Sequence, residues 1–312
     1  MNSFLDSIFS PQFVYAIIRV TTPLLYPAIG VAITALSGSI NIGLEGIMLV
    51  SAFTGVIISG FTGSLPLALI GGILVGVGLG AVLGYFHLKL KTDIIIAAIA
   101  LNLFASCITV LLLYVFTNDK GTSSSLTSLV FPTVQLPIIK DIPILGESLS
   151  GHNVLSYFAL ISVFLFYWLI NKTKLGLRIR AVGQNPDAAA SVGIDVNRIK
   201  LYSLLISGFF GSLGGLYLSM GYVSWFSRDM TSGRGFIAIA AAALGGNLPL
   251  GTCFGVFFFG LINTIAIYIA PLGITSEFVY ALPYLVTVIA LTVFSIRKNR
   301  KGSSKAKDYL SV

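Results

Sequence analysis

Charge is the scarcest feature of this chain. Of its 312 residues, 19 are Lys or Arg and 11 are Asp or Glu, 10% together, against about 25% in a soluble domain. Histidine and cysteine are nearly missing, with two of each. Cys107 and Cys253 both lie inside apolar runs, which excludes a disulfide scaffold and reads as two buried apolar thiols. His87 and His152 stand about two spans apart, with no cysteine or carboxylate at ligand spacing, so no metal site is expected. No Gly-Lys pair occurs, which removes a Walker A loop and with it autonomous ATP hydrolysis. Paired carboxylates and a Gly-x-Ser-x-Gly elbow are missing too, which argues against an intramembrane hydrolase or transferase.

What the chain has is apolar residues, 56% of the total, at a mean hydropathy of +0.95. At about 20 residues per span these suffice for roughly eight or nine crossings and leave little chain for a water-soluble domain. The solvent is a bilayer, and the net charge of +8 bears on topology rather than on a nucleic-acid partner. The N-terminus lacks a basic region followed by a short apolar stretch and a cleavage site, so the first span is expected to act as its own targeting signal.

Charge-free stretches cover 20–44, 46–88, 94–118, 148–171, 201–227, 235–276 and 278–296. Two are twice the length of a span and carry turn signals near their middles, at Gly60, Gly63 and Pro66 and at Gly245, Gly246, Pro249 and Gly251. The count predicts an all-α polytopic membrane protein of about nine helices (eight to ten), one transmembrane domain over 1–312. Basic residues concentrate at Lys89 and Lys91, in the loop 172–200 and in the tail 297–312, which predicts those segments to be cytoplasmic. The Ser-, Thr- and Pro-rich loop 117–153 then falls outside the cytoplasm, as does the N-terminus by parity. Pro23, Pro27 and Arg19 predict an irregular first span. The 33 glycines recur at helical spacing, as at Gly72, Gly76, Gly80 and Gly84 or Gly208, Gly211 and Gly215, and let helix backbones approach closely.

The apolar pattern breaks at membrane depth in two places, 37–46 and 231–251. Non-helical backbone survives there only if protein or a water-filled cavity satisfies it, and paired breaks in a transporter point to its permeation path. Glu45, the one acid between Arg19 and Lys89, needs a partner. It reads either as a path-lining residue or as a capping carboxylate near the membrane surface for a helix starting near Gly46. Asn41, Asn102 and Asn263 could bond a polar substrate or a neighbouring helix. Trp225 and Phe226, beside Arg228 and Asp229, read as an aromatic belt at the outer interface.

The basic loop 172–200 is a polar island of about thirty residues between two spans. In it Asn185 is a good N-cap, Pro186 suits the first turn, Asp187 complements the helix dipole, three alanines favour helix and Gly193 can end it. The predicted helix of about seven residues, 186–192, is about 10 Å long, too short to span but suited to entering a cleft in a partner.

Three pieces of sequence, Asn41-Ile-Gly-Leu-Glu-Gly-Ile-Met48, Arg180-Ala-Val-Gly-Gln-Asn-Pro-Asp-Ala-Ala190 with Gly193-Ile, and Gly233-Arg-Gly-Phe-Ile-Ala-Ile-Ala240 with Gly245, Gly246 and Pro249-Leu-Gly251, resemble the membrane permease subunits of ATP-binding-cassette importers. The branch is the one shared by branched-chain amino acid, simple sugar and nucleoside systems. The Asn-Ile-Gly-Leu-Glu-Gly form is similar to the nucleoside branch, since the Asp-Leu-Ser-Val-Gly pattern of ribose-type permeases is absent. The resemblance implies a permease in a prokaryotic cell membrane that pairs with a second, identical or homologous, permease chain, with two cytoplasmic ATPase subunits and with an extracytoplasmic binding protein or lipoprotein. It implies that the chain itself binds no cofactor, ATP and Mg being used by the ATPase subunits. It makes 186–192 a coupling helix, with Arg180, Gln184, Asn185, Pro186, Asp187, Ala188 and Ala189 facing the ATPase. Asn41, Glu45, Asn102 and Asn263 are the candidates for the substrate path, and Trp225, Arg228 and Asp229 for docking of the binding protein. Ribose-like sugars or branched-chain amino acids are the alternative cargo. A stand-alone ion-coupled carrier is the alternative class, opposed by the scarcity of intramembrane acids.

Overall fold

The computed structural model describes residues 10–126, 128–135 and 145–270, with four isolated positions between 285 and 292. The tail 297–312 and nearly all of the apolar run 278–296 lie outside the described residues. Among the described residues, seven helices are long and apolar enough to cross a membrane: α1 (Pro11–Leu36), α2 (Leu44–Thr62), α3 (Leu65–Gly84, extended by a π-helical turn Tyr85–Lys89), α4 (Ile94–Thr117), α6 (Val154–Lys172), α9 (Val196–Tyr217, extended by a π turn Leu218–Tyr222) and α11 (Pro249–Ile269). Shorter helices are α5 (Leu145–Leu149), α7 (Lys174–Gln184), α8 (Pro186–Ser191) and the apolar α10 (Arg234–Leu244). The chain is thus an all-α polytopic membrane protein, with helix ends at the turn signals around Gly63 and Gly245.

Side chains from the polar segments fix where the helices start. Asp93, Asn153, Thr173, Asn185 and Asp195 each accept hydrogen bonds from first-turn N–H groups of α4, α6, α7, α8 and α9, which satisfies donors that a helix end leaves open. α1 and α9 are the most enclosed spans and α4 the least. α9 packs against α1, α2 and α3. Glycines on both sides allow this: a Cβ added at Gly80 of α3 would lie 2.7 Å from the Leu204 carbonyl oxygen, and one at Gly208 of α9 2.5 Å from the Gly76 carbonyl oxygen.

The bundle has two distinct ends. One carries Lys89, Arg198, α7 and α8 and is called the basic end below. At the other, the segments 121–126 and 128–135 make isolated antiparallel bridges, Thr122 to Ser227 and Thr133 to Asn153. There Phe131 N–H donates to the Met220 carbonyl at 2.8 Å.

Two expectations need correction. The first span is not irregular: α1 runs unbroken for 26 residues with Pro23 and Pro27 inside it. Pro23 cannot donate to the Arg19 carbonyl, but the Tyr217 hydroxyl donates to that oxygen at 3.4 Å, a neighbouring helix replacing the lost bond. Arg19 itself donates to the Tyr222 carbonyl at 2.9 Å and stacks on the Tyr222 ring. The two thiols are also not both buried: Cys107 is exposed on α4 and Cys253 is half-buried, both unbridged. An apolar thiol facing a bilayer gains nothing from being enclosed, so apolarity alone does not assign it to the interior.

Candidate functional site

The two breaks in the apolar pattern meet. The chain leaves α1 at Leu36 and re-enters helix at Leu44. The segment after α9 leads inward from Ser227, and α10 begins at Arg234. Glu45, in the first turn of α2, joins them: its Oε1 accepts from the Gly233 N–H at 2.7 Å and its Oε2 from the Gly235 N–H at 2.6 Å. The carboxylate therefore caps the start of α10 while also lying in the first turn of α2, near two helix N-termini whose partial positive charge stabilises it. Glu45 is thus the first-turn carboxylate of the helix that begins beside Gly46, as one of its two readings had it, and in addition caps the start of α10. Its neighbour on α4, Asn102, is eight residues into that helix, about 12 Å along its axis.

Two asparagines complete the seal. Asn102 Oδ1 accepts from the Gly46 N–H at 2.8 Å, and its Nδ2 donates to the Ile42 carbonyl at 3.1 Å. Asn41, wholly buried, accepts from the Gly43 N–H at 2.9 Å and donates to Ser207 Oγ at 3.0 Å, while its own N–H donates to Thr34 Oγ1. These amides bond the chain's own backbone and helices. Asn263 stands apart on α11 and donates to the Phe259 carbonyl one turn earlier in its own helix. Gly235 has no room for a side chain, since an added Cβ would lie 2.7 Å from Glu45 N and Oε2. Gly233 and Gly235 stand in a recognisable motif, but nothing near them in sequence points to Glu45, 188 and 190 positions away; Ser207 and Ser106 carry no sequence signal at all.

The three residues assigned to binding-protein docking sit at different levels. Trp225 is 42% exposed, but Phe226 is buried and packs edge-on against Phe53, so it is not part of a belt. Arg228 donates its N–H to the Gly121 carbonyl and pairs with Asp229 at 3.4 Å. Asp229 accepts from Ser106 Oγ at 2.9 Å, twelve residues into α4 and about 18 Å along it.

At the basic end, α8 forms as the capping pattern predicts, one residue shorter. The Asn185 side chain accepts from the Ala188 N–H at 3.0 Å, and Gly193 takes a left-handed φ of 81° after the last turn. Ala189 is 4% exposed and faces inward, whereas Gln184, Asn185, Pro186, Asp187 and Ala188 are exposed and Val192 is 75% exposed. Arg180, on α7, has a buried Nε without a partner among the described residues. α7 in turn touches the first break: an added Cβ at Gly183 would collide with the Leu36 carbonyl and come within 3.3 Å of Gly38 N. Among the described residues no three His, Cys, Asp or Glu side chains gather where they could hold a metal ion. His87 and His152 lie at opposite ends, one beside Thr92 and Ser39, the other beside Ser148.

An all-α bundle of long apolar spans, with two interrupted segments locked together inside it, is the architecture of a multi-span membrane transport subunit. Residues 13–291 match the family described as branched-chain amino acid transport system / permease component, and the chain belongs to that family. It is 31% identical to the nucleoside ABC transporter permease protein NupC of Lactococcus lactis subsp. cremoris (strain MG1363), over 88% of this chain and 89% of that one. It is 32% identical to the guanosine ABC transporter permease protein NupQ of Bacillus subtilis (strain 168), over 87% and 88%. Among solved structures, PsaBC from Streptococcus pneumoniae in complex with Fab has a similar fold, with a TM-score of 0.53 at 16% identity over 93% of this chain and 94% of that one.

Proposed function

We propose that this chain is the membrane-spanning permease subunit of an ABC importer for nucleosides. The observation that carries the cargo is the near-full-length similarity to NupC and NupQ. The charge inventory supports it: Glu45, Arg19 and the Arg228–Asp229 pair are each engaged by this chain's own groups, which favours neutral polar cargo over anions. The translocation path runs between this chain and a second, identical or homologous, permease chain. An extracytoplasmic binding protein or lipoprotein delivers the nucleoside at the end bearing 117–153, with Trp225 and Arg228 nearest that end.

The basic end, with 172–200, faces the cytoplasm, where α8 enters a cleft in an ATPase subunit. Its exposed edge, with Val192 apolar and Asp187 charged, supports that reading. The ATPase subunits bind ATP and Mg and perform the hydrolysis, and the motion enters through α8 and passes by α7 to the first break at Gly38. Uptake of labelled guanosine in a strain lacking other carriers, in competition with unlabelled guanosine, ribose and leucine, tests the cargo. Guanosine alone should compete; competition by ribose or leucine instead would reassign it, and uptake by the purified chain in liposomes without ATPase subunits would overturn the class.

A further inference from the structure

Outside the junction and α8, one cavity combines chemistry that neither uses. It opens where α3 and α9 part. Their closest approach is at Gly76, Gly80 and Gly208, and one turn further α3 passes into the π-helical turn Tyr85–Lys89, a widened backbone that moves the following side chains out of α-helical register. The cavity has a volume of about 360 Å³. Gly84, Leu88 and Leu201 form its apolar walls, and Lys89, Asn197 and Arg198 its polar rim.

The rim is cationic. Lys89 lies 5.7 Å over the Tyr85 ring, and Arg198, its side chain 76% exposed, binds Asp195 through Nε at 2.9 Å. Two cations thus face one acid, and the first turn of α9, which contributes Asn197, adds its positive end. The flank is apolar and exposed, with Val82 at 46%, Phe86 at 44% and Leu90 at 53%, so the cavity opens onto the surface that meets acyl chains. A free anion would leave the apolar walls empty. The basic tail 297–312 carries the same sign of charge as the rim.

We propose that this cavity is a binding site for an anionic phospholipid, with the phosphodiester at Lys89, Asn197 and Arg198 and the upper part of an acyl chain between Leu88 and Leu201. Basic pockets between spans at the cytoplasmic side suit such headgroups. The proposal does not depend on which cargo the protein carries.

Native mass spectrometry of the chain purified with its permease partner, titrated with phosphatidylglycerol or phosphatidylcholine, tests it. Wild type should retain phosphatidylglycerol in preference to phosphatidylcholine. The double variant Lys89→Gln/Arg198→Gln should weaken that retention on the order of thirtyfold, about fivefold for each lost cation. Ala81→Leu, which adds volume at the cavity wall and keeps both cations, should weaken it as well. Lys172→Gln/Lys174→Gln, at the same end but away from the cavity, should leave it unchanged. Equal retention of the two lipids, loss in the Lys172/Lys174 control equal to that in the rim variant, full retention in Ala81→Leu, or displacement of the lipid by inorganic phosphate would each overturn the site.

Discussion

The junction at Glu45 and the helix at Pro186 both interrupt an apolar chain with polar residues, and they treat hydrogen bonds in opposite ways. At Glu45 the exposed ends of two helices are closed by side chains from elsewhere: a carboxylate for α10 and Asn102 for α2. Around Pro186 the caps are local, Asn185 in front and Gly193 behind, and the outer surface of the helix is left open. Inside a membrane no water can satisfy a stray N–H, so a break there has to be sealed by distant partners. At the water-facing end a six-residue helix can close its own termini and offer its sides to another protein. The first arrangement is a tertiary lock, the second a separate tooth, and they should fail differently.

The largest effects are expected at the lock. Glu45→Ala removes two charge-assisted hydrogen bonds and leaves two N–H groups half-buried, a loss on the order of 2–4 kcal/mol. Glu45→Gln, which keeps one acceptor oxygen, should lose about half as much. Thermal melts of the purified protein in detergent measure both; equal melting of wild type and Glu45→Ala would remove the lock. Gly235→Ala forces a Cβ onto Glu45 and should lower stability by about 1–3 kcal/mol, with an effect that does not add to that of Glu45→Ala because the two sites touch.

Changes at the tooth should be small in stability and large in coupling. Asn185→Ala removes the N-cap bond of α8 and should cost about 1 kcal/mol. Asp187→Lys lies on an exposed surface and should shift stability by less than about 0.5 kcal/mol while abolishing ATP-driven uptake. A full loss of uptake at normal membrane abundance separates the tooth from the lock; normal uptake in Asp187→Lys would mean that α8 transmits nothing.

The difference between lock and tooth also decides what the sequence could disclose. Everything about α8 is local, so Asn185, Pro186, the alanines and Gly193 gave its position within one residue. The spans and turns were equally readable, because charge-free runs and glycine–proline punctuation are properties of neighbouring residues. The two breaks were visible as breaks. That Glu45 closes the second of them was not, since the partners lie 188 and 190 positions apart and no periodicity links them. The same limit hid the Tyr217 bond to the Arg19 carbonyl that Pro23 leaves open, and the burial of Phe226 against Phe53. A polar residue in an apolar run declares that it has a partner, without naming it.

A pH dependence extends the comparison to a third site, the buried His152, at the end opposite α8. Its ring stacks on Tyr15 with centroids 4.0 Å apart, and its Nε2 lies 3.0 Å from the Ser148 carbonyl, which it can reach only as a donor. Burial pushes its pKa below the usual 6.5, the Ser148 carbonyl bond opposes that shift, and Arg19 adds to it. A histidine whose folded pKa is lowered is held neutral by the fold. The unfolded chain therefore takes up the proton first on acidification, and stability, intact above about pH 6.5, declines as the pH falls below it, by at most about 1.4 kcal/mol per unit. His152→Gln keeps an N–H donor and removes the titration. Melting of wild type at pH 7.5 and 5.5 should show a drop that His152→Gln lacks, after both are referred to their pH 7.5 values. The same drop in both proteins would assign the acid sensitivity to other groups. Glu45→Gln, distant from the Tyr15–His152 stack, should leave the His152 step in place at a lower overall melting temperature.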